Sequence, residues 1–323
     1  MIIFITGGAG FIGSHLAERM IAHGDQVMVL DDLSTGQISN LDRILHHPKF
    51  THRIGSVTDY SAVVEMVDRA DVIVHLAAAV GVRLIVERPV HTIETNVHGT
   101  EVVLGCAAKK KKPVILASTS EVYGKSAKVP FSEEDDLTLG ATSHSRWAYA
   151  CSKALDEWLG LAYFREKSVP VTVCRFFNTV GPRQTGRYGM VLPTFTAQAL
   201  RNEPITIHGT GEQTRCFAHV NDVVECVLRL IATPAAVGGV FNIGTNREVS
   251  INRLAEMVRS AAASRSPIVH IPYEQAYAEG FEDMQQRVPD CRKLERTIGY
   301  VPSMPLETII ADVLTDQRAR LAG

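Results

Sequence analysis

The strongest constraint on this chain is the run Gly7-Gly-Ala-Gly10-Phe-Ile-Gly13. It follows the apolar stretch Ile2-Ile-Phe-Ile-Thr6 and opens a helix-length segment, Phe11 to His23, that Gly24 ends. An apolar run without polar alternation suits a strand buried on both faces. Glycines at this spacing permit a tight turn, close approach of the backbone to a pyrophosphate, and tight packing of helix on strand. The helix start adds free N–H groups and the positive end of a dipole. The loop therefore predicts a dinucleotide cradle built from Gly7, Gly10, Phe11, Ile12 and Gly13. Asp31 and Asp32 close the next apolar run, Gln26 to Leu30. A carboxylate there accepts hydrogen bonds from a ribose diol and repels a 2′-phosphate, so the expected cofactor is NAD rather than NADP.

The same rhythm continues. Asp71 to His75, Pro113 to Ala117 and Val171 to Arg175 are strand-like, with helix-length segments between them. Alternation of this kind predicts an α/β fold with a doubly wound parallel sheet. After Asn178 the pattern loosens around Gly181-Pro182, Thr210-Gly211 and Pro272. Phe217 to Ile231 and Val240 to Ile243 read as a helix and a strand returning to the sheet. At 323 residues and 46% hydrophobic content the chain has material for a large core, so a disordered protein is excluded. A net charge of −2 argues against a general nucleic-acid binder. Lys109 to Lys112 is the one long like-charge run, and it reads as a solvated helix end. No secretory leader and no apolar run of membrane-spanning length is visible, and the expectation is a cytoplasmic protein with no membrane partner. The six cysteines form no C-x-x-C pair, so no metal site is expected and most read as small buried hydrophobes.

Tyr149-Ala-Cys-Ser-Lys153 lies in a segment that continues helically through Leu155, Trp158 and Leu161. Spacing of four puts both side chains on one helix face. An ammonium nearby stabilises a phenolate, so Tyr149 can take a proton from a sugar hydroxyl as hydride leaves. Ser118-Thr119-Ser120-Glu121 follows the fourth apolar run, at the strand end where parallel sheets place their sites. Thr119 there can hydrogen-bond the reacting oxygen.

GGAGFIG, His75-Leu-Ala-Ala78, Asn96 in Asn-Val-His-Gly99, STSEVYG, YACSK and Asn178-Thr-Val-Gly-Pro182 together resemble the extended short-chain dehydrogenase/reductase superfamily, in its nucleotide-sugar epimerase, dehydratase and decarboxylase branch. The resemblance implies a Rossmann domain over 1–179 and 216–243, and a smaller C-terminal α/β domain over 180–215 and 244–323 that grips a nucleoside diphosphate sugar. It implies bound NAD, with Leu76, Ala77, Ala78, Asn96, Tyr149 and Lys153 also near the cofactor. It further implies substrate contacts from Asn178 and Arg215, with Arg183 and Arg187 as weaker candidates. Gly55-Ser56-Val57 departs from the usual Gly-Asp-hydrophobic pattern. A homodimer is expected through the helices carrying Glu94 to Lys109 and Tyr149 to Phe164, with Val102, Val103, Leu155 and Leu159 as apolar positions.

These enzymes begin by oxidising the sugar C4 hydroxyl, and the residues beside Thr119 distinguish the later steps. Dehydratases resemble Thr-Asp-Glu; this chain has Thr119-Ser120-Glu121 and lacks the acid. Thr-Ser-Glu resembles the UDP-glucuronate decarboxylases. Ser145 to Tyr149, Gln213 to Phe217 and Tyr277 to Pro289 agree with that branch, and Arg287 matches its active-site arginine. The resemblance thus implies decarboxylation of UDP-glucuronate through a C4-keto intermediate to UDP-xylose or the 4-keto pentose. Its catalytic residues would be Thr119, Ser120, Glu121, Tyr149, Lys153 and Arg287. The alternatives are a UDP-glucuronate or UDP-glucose 4-epimerase and, in a different class, a non-catalytic NAD-binding scaffold.

Overall fold

The computed structural model describes residues 1–81, 88–144, 146–186, 190–276 and 284–322. Its frame is a seven-stranded sheet. Strands β1 (Ile2–Thr6), β2 (Gln26–Asp31), β3 (Phe50–Ile54), β4 (Val72–His75), β5 (Val114–Thr119) and β6 (Val171–Phe176) come first. The short strands β7 (Thr179–Val180), β8 (Ile205–His208), β9 (Thr214–Cys216) and β10 (Ala218–His219) precede β11 (Val240–Ile243), which completes the sheet, and β12 (Glu248–Ser250) and β13 (Ile268–Ile271) follow. The order across the sheet is β3-β2-β1-β4-β5-β6-β11, all parallel. Strand order reverses between β1 and β4, and ligands of doubly wound sheets bind in the crevice at such a switch point.

Each buried strand feeds two cores, because successive side chains leave opposite faces. Ile3, Ile5, Val27 and Val29 meet Leu16 and Met20 of α1 (Phe11–His23), with Val223 and Val227 further along the chain. Phe4, Met28 and Ile73 meet Val63 and Met66 of α2 (Tyr60–Arg69) and Val103 and Leu104 of α3 (Pro89–Ala108). The long helix α4 (Arg146–Lys167) lies beside α3 and sends Leu159, Tyr163 and Phe164 into the second core. A separate core joins Leu192 and Phe195 of α5 (Val191–Leu200), Ile205 and Ile207, Leu254 and Val258 further on, and several apolar residues between Ile309 and Leu314.

The remaining helices are α6 (Val220–Ile231), α7 (Ile251–Ala261) and α8 (Arg292–Ile298), with a single helical turn at Tyr273–Ala276; α9 (Leu306–Ala322) closes the described chain. Helix α6 starts three residues later than the expected Phe217. Ala218 and His219 are engaged in pairing with Thr179 and Val180, and His219 Nδ1 then accepts the Asn221 N–H as a cap. The lysine run is a solvated helix end tied to α2: Lys110 pairs with Asp68 at 3.0 Å and Lys112 Nζ donates to the Ala70 carbonyl at 2.5 Å. All six cysteines are free; Cys106, Cys174, Cys216 and Cys226 are buried, whereas Cys151 is exposed. No described helix is long and apolar enough to cross a membrane.

Candidate active site

The glycine loop is held by close backbone approach. Gly7 sits at φ +71°, and a Cβ there would come within 2.8 Å of the Ala77 nitrogen. A Cβ on Gly13 would lie 2.3 Å from the Gly7 carbonyl oxygen and 2.7 Å from the Gly8 Cα. Any side chain would therefore push the loop away from the strand and the helix. Helix α1 has Gly10 as its N-cap, with no side-chain cap and no acid in its first turn. Its first N–H groups are thus offered outward at the positive helix end, which suits an anionic pyrophosphate.

Asp31 ends β2 beside this loop. Its Oδ2 accepts the Ala9 N–H at 2.9 Å and its Oδ1 accepts the Leu33 N–H at 2.8 Å. Burial raises the pKa of its carboxyl, against the lowering effect of these N–H groups. Asp32 is exposed and accepts the Ser34 N–H at 2.9 Å, whereas Asp31 is the residue that accepts from the loop. Leu76, Ala77 and Ala78 follow β4, where the Leu76 N–H donates to the Thr6 carbonyl and the Ala77 N–H to Thr6 Oγ1. Asn96 is buried; its Oδ1 accepts the Ala79 N–H at 2.8 Å and its Nδ2 donates to Ser152 Oγ at 3.1 Å. It thereby ties the loop after β4 to α4.

Thr119 ends β5, and its Oγ1 accepts the Glu121 N–H at 3.2 Å. That bond occupies a lone pair and leaves the hydroxyl proton to donate elsewhere. Ser120 and Glu121 open a 3₁₀ turn, Ser120–Tyr123, packed against α4. Tyr149 and Lys153 stand one turn apart on that helix, Tyr149 half-buried and Lys153 only 2% exposed.

Arg287 reaches the same place from 166 residues away. Its Nη1 donates to Glu121 Oε1 at 2.5 Å, and each side chain is 11% exposed. The segment carrying it is pinned on both sides. The Thr214 N–H donates to the Gln285 carbonyl, the Phe131 N–H to the Val288 carbonyl, and the Asp290 N–H to the Phe131 carbonyl. Arg215 touches this segment too, donating to the carbonyls of Thr214 at 2.7 Å and Gln285 at 3.4 Å. Asn178 donates to the Cys216 carbonyl at 3.1 Å, at the base of the same region.

One expected residue lies elsewhere. The Arg183 guanidinium donates to both carboxylate oxygens of Glu18 at 2.7 Å and to the Asn40 carbonyl, while its backbone N–H donates to Asp316. It is a clamp between α1 and α9. Arg187, Ser145 and 277–283 lie outside the described residues.

Two buried ionic groups escaped the reading of the sequence. Lys153 Nζ donates to Asp156 Oδ2 at 2.8 Å, and Asp156 is fully buried. Glu157 receives Arg175 at 2.9 and 2.7 Å and the Ser118 hydroxyl at 2.5 Å, while Arg175 also donates to the Tyr123 hydroxyl at 2.9 Å. For Lys153 and Asp156 the signal was spacing along α4, and helical i,i+3 charges ordinarily face water; Glu157 and Arg175 lie on different elements and offer no such spacing.

Comparison with known proteins agrees with this geometry. The family model described as GDP-mannose 4,6 dehydratase matches residues 4–313. The chain is 42% identical to a UDP-N-acetyl-alpha-D-glucosaminuronate decarboxylase of Bacillus cytotoxicus, over 94% of this chain and 93% of that one. It is 34% identical to UDP-glucuronic acid decarboxylase 1 of Danio rerio, over 94% of this chain and 70% of that one. Among solved structures, a UDP-glucose 4-epimerase of Thermotoga maritima with UDP-glucose has a TM-score of 0.89 at 30% identity, covering 99% of this chain and 100% of that one. A dTDP-glucose 4,6-dehydratase of Streptomyces venezuelae with NAD bound has a TM-score of 0.90 at 26% identity, covering 100% and 98%. A glycine cradle at the switch point, a Tyr-x-x-x-Lys helix beside a Thr-Ser-Glu turn, and a match along almost the whole chain lead to one conclusion: the chain belongs to the GDP-mannose 4,6-dehydratase family of extended short-chain dehydrogenases/reductases.

Proposed function

We propose that this protein is an NAD-dependent decarboxylase of a UDP-linked uronate, acting through a C4-keto intermediate. The observation that carries the reading is the Glu121–Arg287 pair at 2.5 Å, two residues from Thr119. A guanidinium matches the planar geometry of a carboxylate, so a uronate can take the place of Glu121 on Arg287. A neutral sugar offers nothing to open that pair. The glycine loop and Asp31 fit NAD, which when bound accepts the C4 hydride and returns it.

The chain's own residues account for the remaining steps. Tyr149, with Lys153 one turn along, takes the proton of the C4 hydroxyl, and Thr119 donates to the same oxygen. Oxidation at C4 leaves the carboxylate on C5 as a β-keto acid. When carbon dioxide departs, the electron pair of the broken bond moves onto the C4 oxygen as an enolate. Tyr149 and Thr119 stabilise that oxygen. Glu121, freed from Arg287, takes a proton from water and passes it to C5 beside the buried Ser120. Arg215 and Asn178 are the proposed contacts to the nucleotide sugar. The product is the UDP-pentose, or its 4-keto form if release comes first.

The sugar is UDP-glucuronate or its 2-acetamido counterpart, since relatives with both names align along this chain. Incubating the protein with NAD and each uronate, and measuring carbon dioxide with the sugar product, tests the reading. Carbon dioxide with a pentose supports it. Inversion at C4 with the carboxylate retained moves the 4-epimerase forward, a reading favoured by the Thermotoga maritima neighbour. No turnover of either kind leaves the scaffold.

We place the NAD-binding domain at 1–179 and 216–243 and the sugar-binding domain at 180–215 and 244–323. The cytoplasm is the proposed setting, which suits six free thiols. The homodimer is proposed through α3 and α4. Val102 and Val103 are buried in this chain's own core and Leu159 packs against it, whereas Leu155 is 45% exposed beside Trp158 at 62%. On α3, Val90 is 66% and Ile93 44% exposed. Two adjacent helices thus present large apolar side chains to solvent, the mark of an interaction surface.

A further inference from the structure

A buried polar chain runs beneath the proposed catalytic lysine. Thr6 Oγ1 accepts the Ala77 N–H at 3.2 Å and lies 2.7 Å from His75 Nδ1. His75 Nε2 lies 3.1 Å from Thr100 Oγ1. Thr100 neighbours Asp156, whose Oδ2 accepts Lys153 Nζ at 2.8 Å while its buried Oδ1 has no partner among the described residues. The chain ends on a carboxylate that holds the ammonium. His75, Thr100 and Asp156 are each at most 2% exposed, so water does not compete.

We propose that Asp156 is the positioning residue for Lys153, holding its ammonium charged and aimed at Tyr149, and that Thr100 of α3, in contact with His75 at the end of β4, backs Asp156. This rests on Tyr149 acting as the base. An ammonium buried without a counter-charge loses its proton, because desolvation disfavours the charged form. Other titratable groups around the pair leave that role to Asp156. His75 on β4 is held neutral by burial, its pKa drawn down to about 3. Glu157, next along α4, is matched by Arg175. Helix α3 faces the pair with the Thr100 hydroxyl, and β5 brings Ser118 and Thr119, which carry no charge.

The test is the pH profile of kcat for Asp156→Asn, which is close to isosteric, measured with UDP-glucuronate and NAD. Without the carboxylate, Lys153 is neutral and Tyr149 loses its stabilising charge. The ascending limb of the profile should move up by at least one pH unit, and kcat at pH 7 should fall at least tenfold with KM within threefold of the parent. A limb that stays in place, whether kcat is unchanged or falls equally at every pH, overturns the proposal, and so does a limb that moves down. If Asp156→Asn does not fold, Thr100→Val decides by the direction of the same limb: a shift up supports the proposal and no shift overturns it. Tyr149→Phe run alongside separates the two ideas. An active Tyr149→Phe removes the base assignment itself, whereas an inactive one with an unmoved Asp156→Asn profile removes only the role of Asp156.

Discussion

Replacing Arg287 with alanine should separate the two halves of the proposed reaction. Hydride removal at C4 depends on Tyr149, Thr119 and the cofactor. Carbon dioxide loss depends on holding the carboxylate. Arg287 and Glu121 lie at 2.5 Å with each side chain 11% exposed, so the interaction is charge-assisted and shielded. Removing one partner of such a pair costs about 3–5 kcal/mol. At about 1.4 kcal/mol per factor of ten, carbon dioxide release should fall by about two to three and a half orders of magnitude. Arg287→Lys should fall between, because an ammonium keeps the charge and loses the planar fork. The assay is carbon dioxide release from UDP-glucuronate, paired with slow NAD reduction by UDP-glucose, provided the parent shows a measurable trace of that reaction. UDP-glucose has no carboxylate, so its oxidation should be equal in parent and variant. If Arg287→Ala still releases carbon dioxide within threefold of the parent, the arginine does not hold the substrate and the 4-epimerase reading gains. Equal loss of both reactions would point to damage of the whole site.

Three further outcomes are expected. Asp31→Ala should weaken NAD much more than UDP in calorimetric titrations and lower the melting temperature, because it also strands the Ala9 and Leu33 N–H groups, at about 1–3 kcal/mol for each buried one; equal weakening of both ligands would refute the ribose assignment. Trp158→Glu together with Leu155→Glu should give a monomer by light scattering at micromolar concentration where the parent is a dimer, with the melting transition kept because both side chains are exposed; a monomeric parent would reject the interface. His75 has a folded pKa of about 3 against an ordinary 6.5, so as pH falls through 6.5 the unfolded chain takes up a proton that the folded ring refuses, and stability is lost until pH nears the folded value. Between pH 7.5 and pH 5 this should remove about 2 kcal/mol in urea titrations, at about 1.4 kcal/mol per unit. His75→Gln should lose that much less across the same interval, and an identical loss in both proteins would refute the assignment.

What the sequence determined by itself was whatever depends on neighbours in the chain. Gly7, Gly10 and Gly13 are demanded by a turn whose backbone geometry is local, and Asp31 comes at the end of the next strand. Tyr149 and Lys153 share a face because four residues make about one helical turn. Apolar runs between helix-length segments were enough to give a parallel sheet, since such strands must be covered on both sides. Tertiary structure decided the contacts that cross the chain. Arg287 meets Glu121 only because Phe131 and Thr214 grip the backbone around it. Arg183, read as a weak ligand contact, proved to be a clamp on Glu18, since no local pattern tells a guanidinium which carboxylate the fold will bring to it. Of the four apolar residues expected at a dimer face, three went to the core or against it and Leu155 stayed outside, a choice made by how α3 and α4 roll on the sheet. Asp156 shows the difference most plainly. Its spacing from Lys153 is local and visible, but the same spacing on a wet helix face means little. Burial, which removes the water that would screen both charges, gives the pair its meaning, and burial is a property of the whole fold.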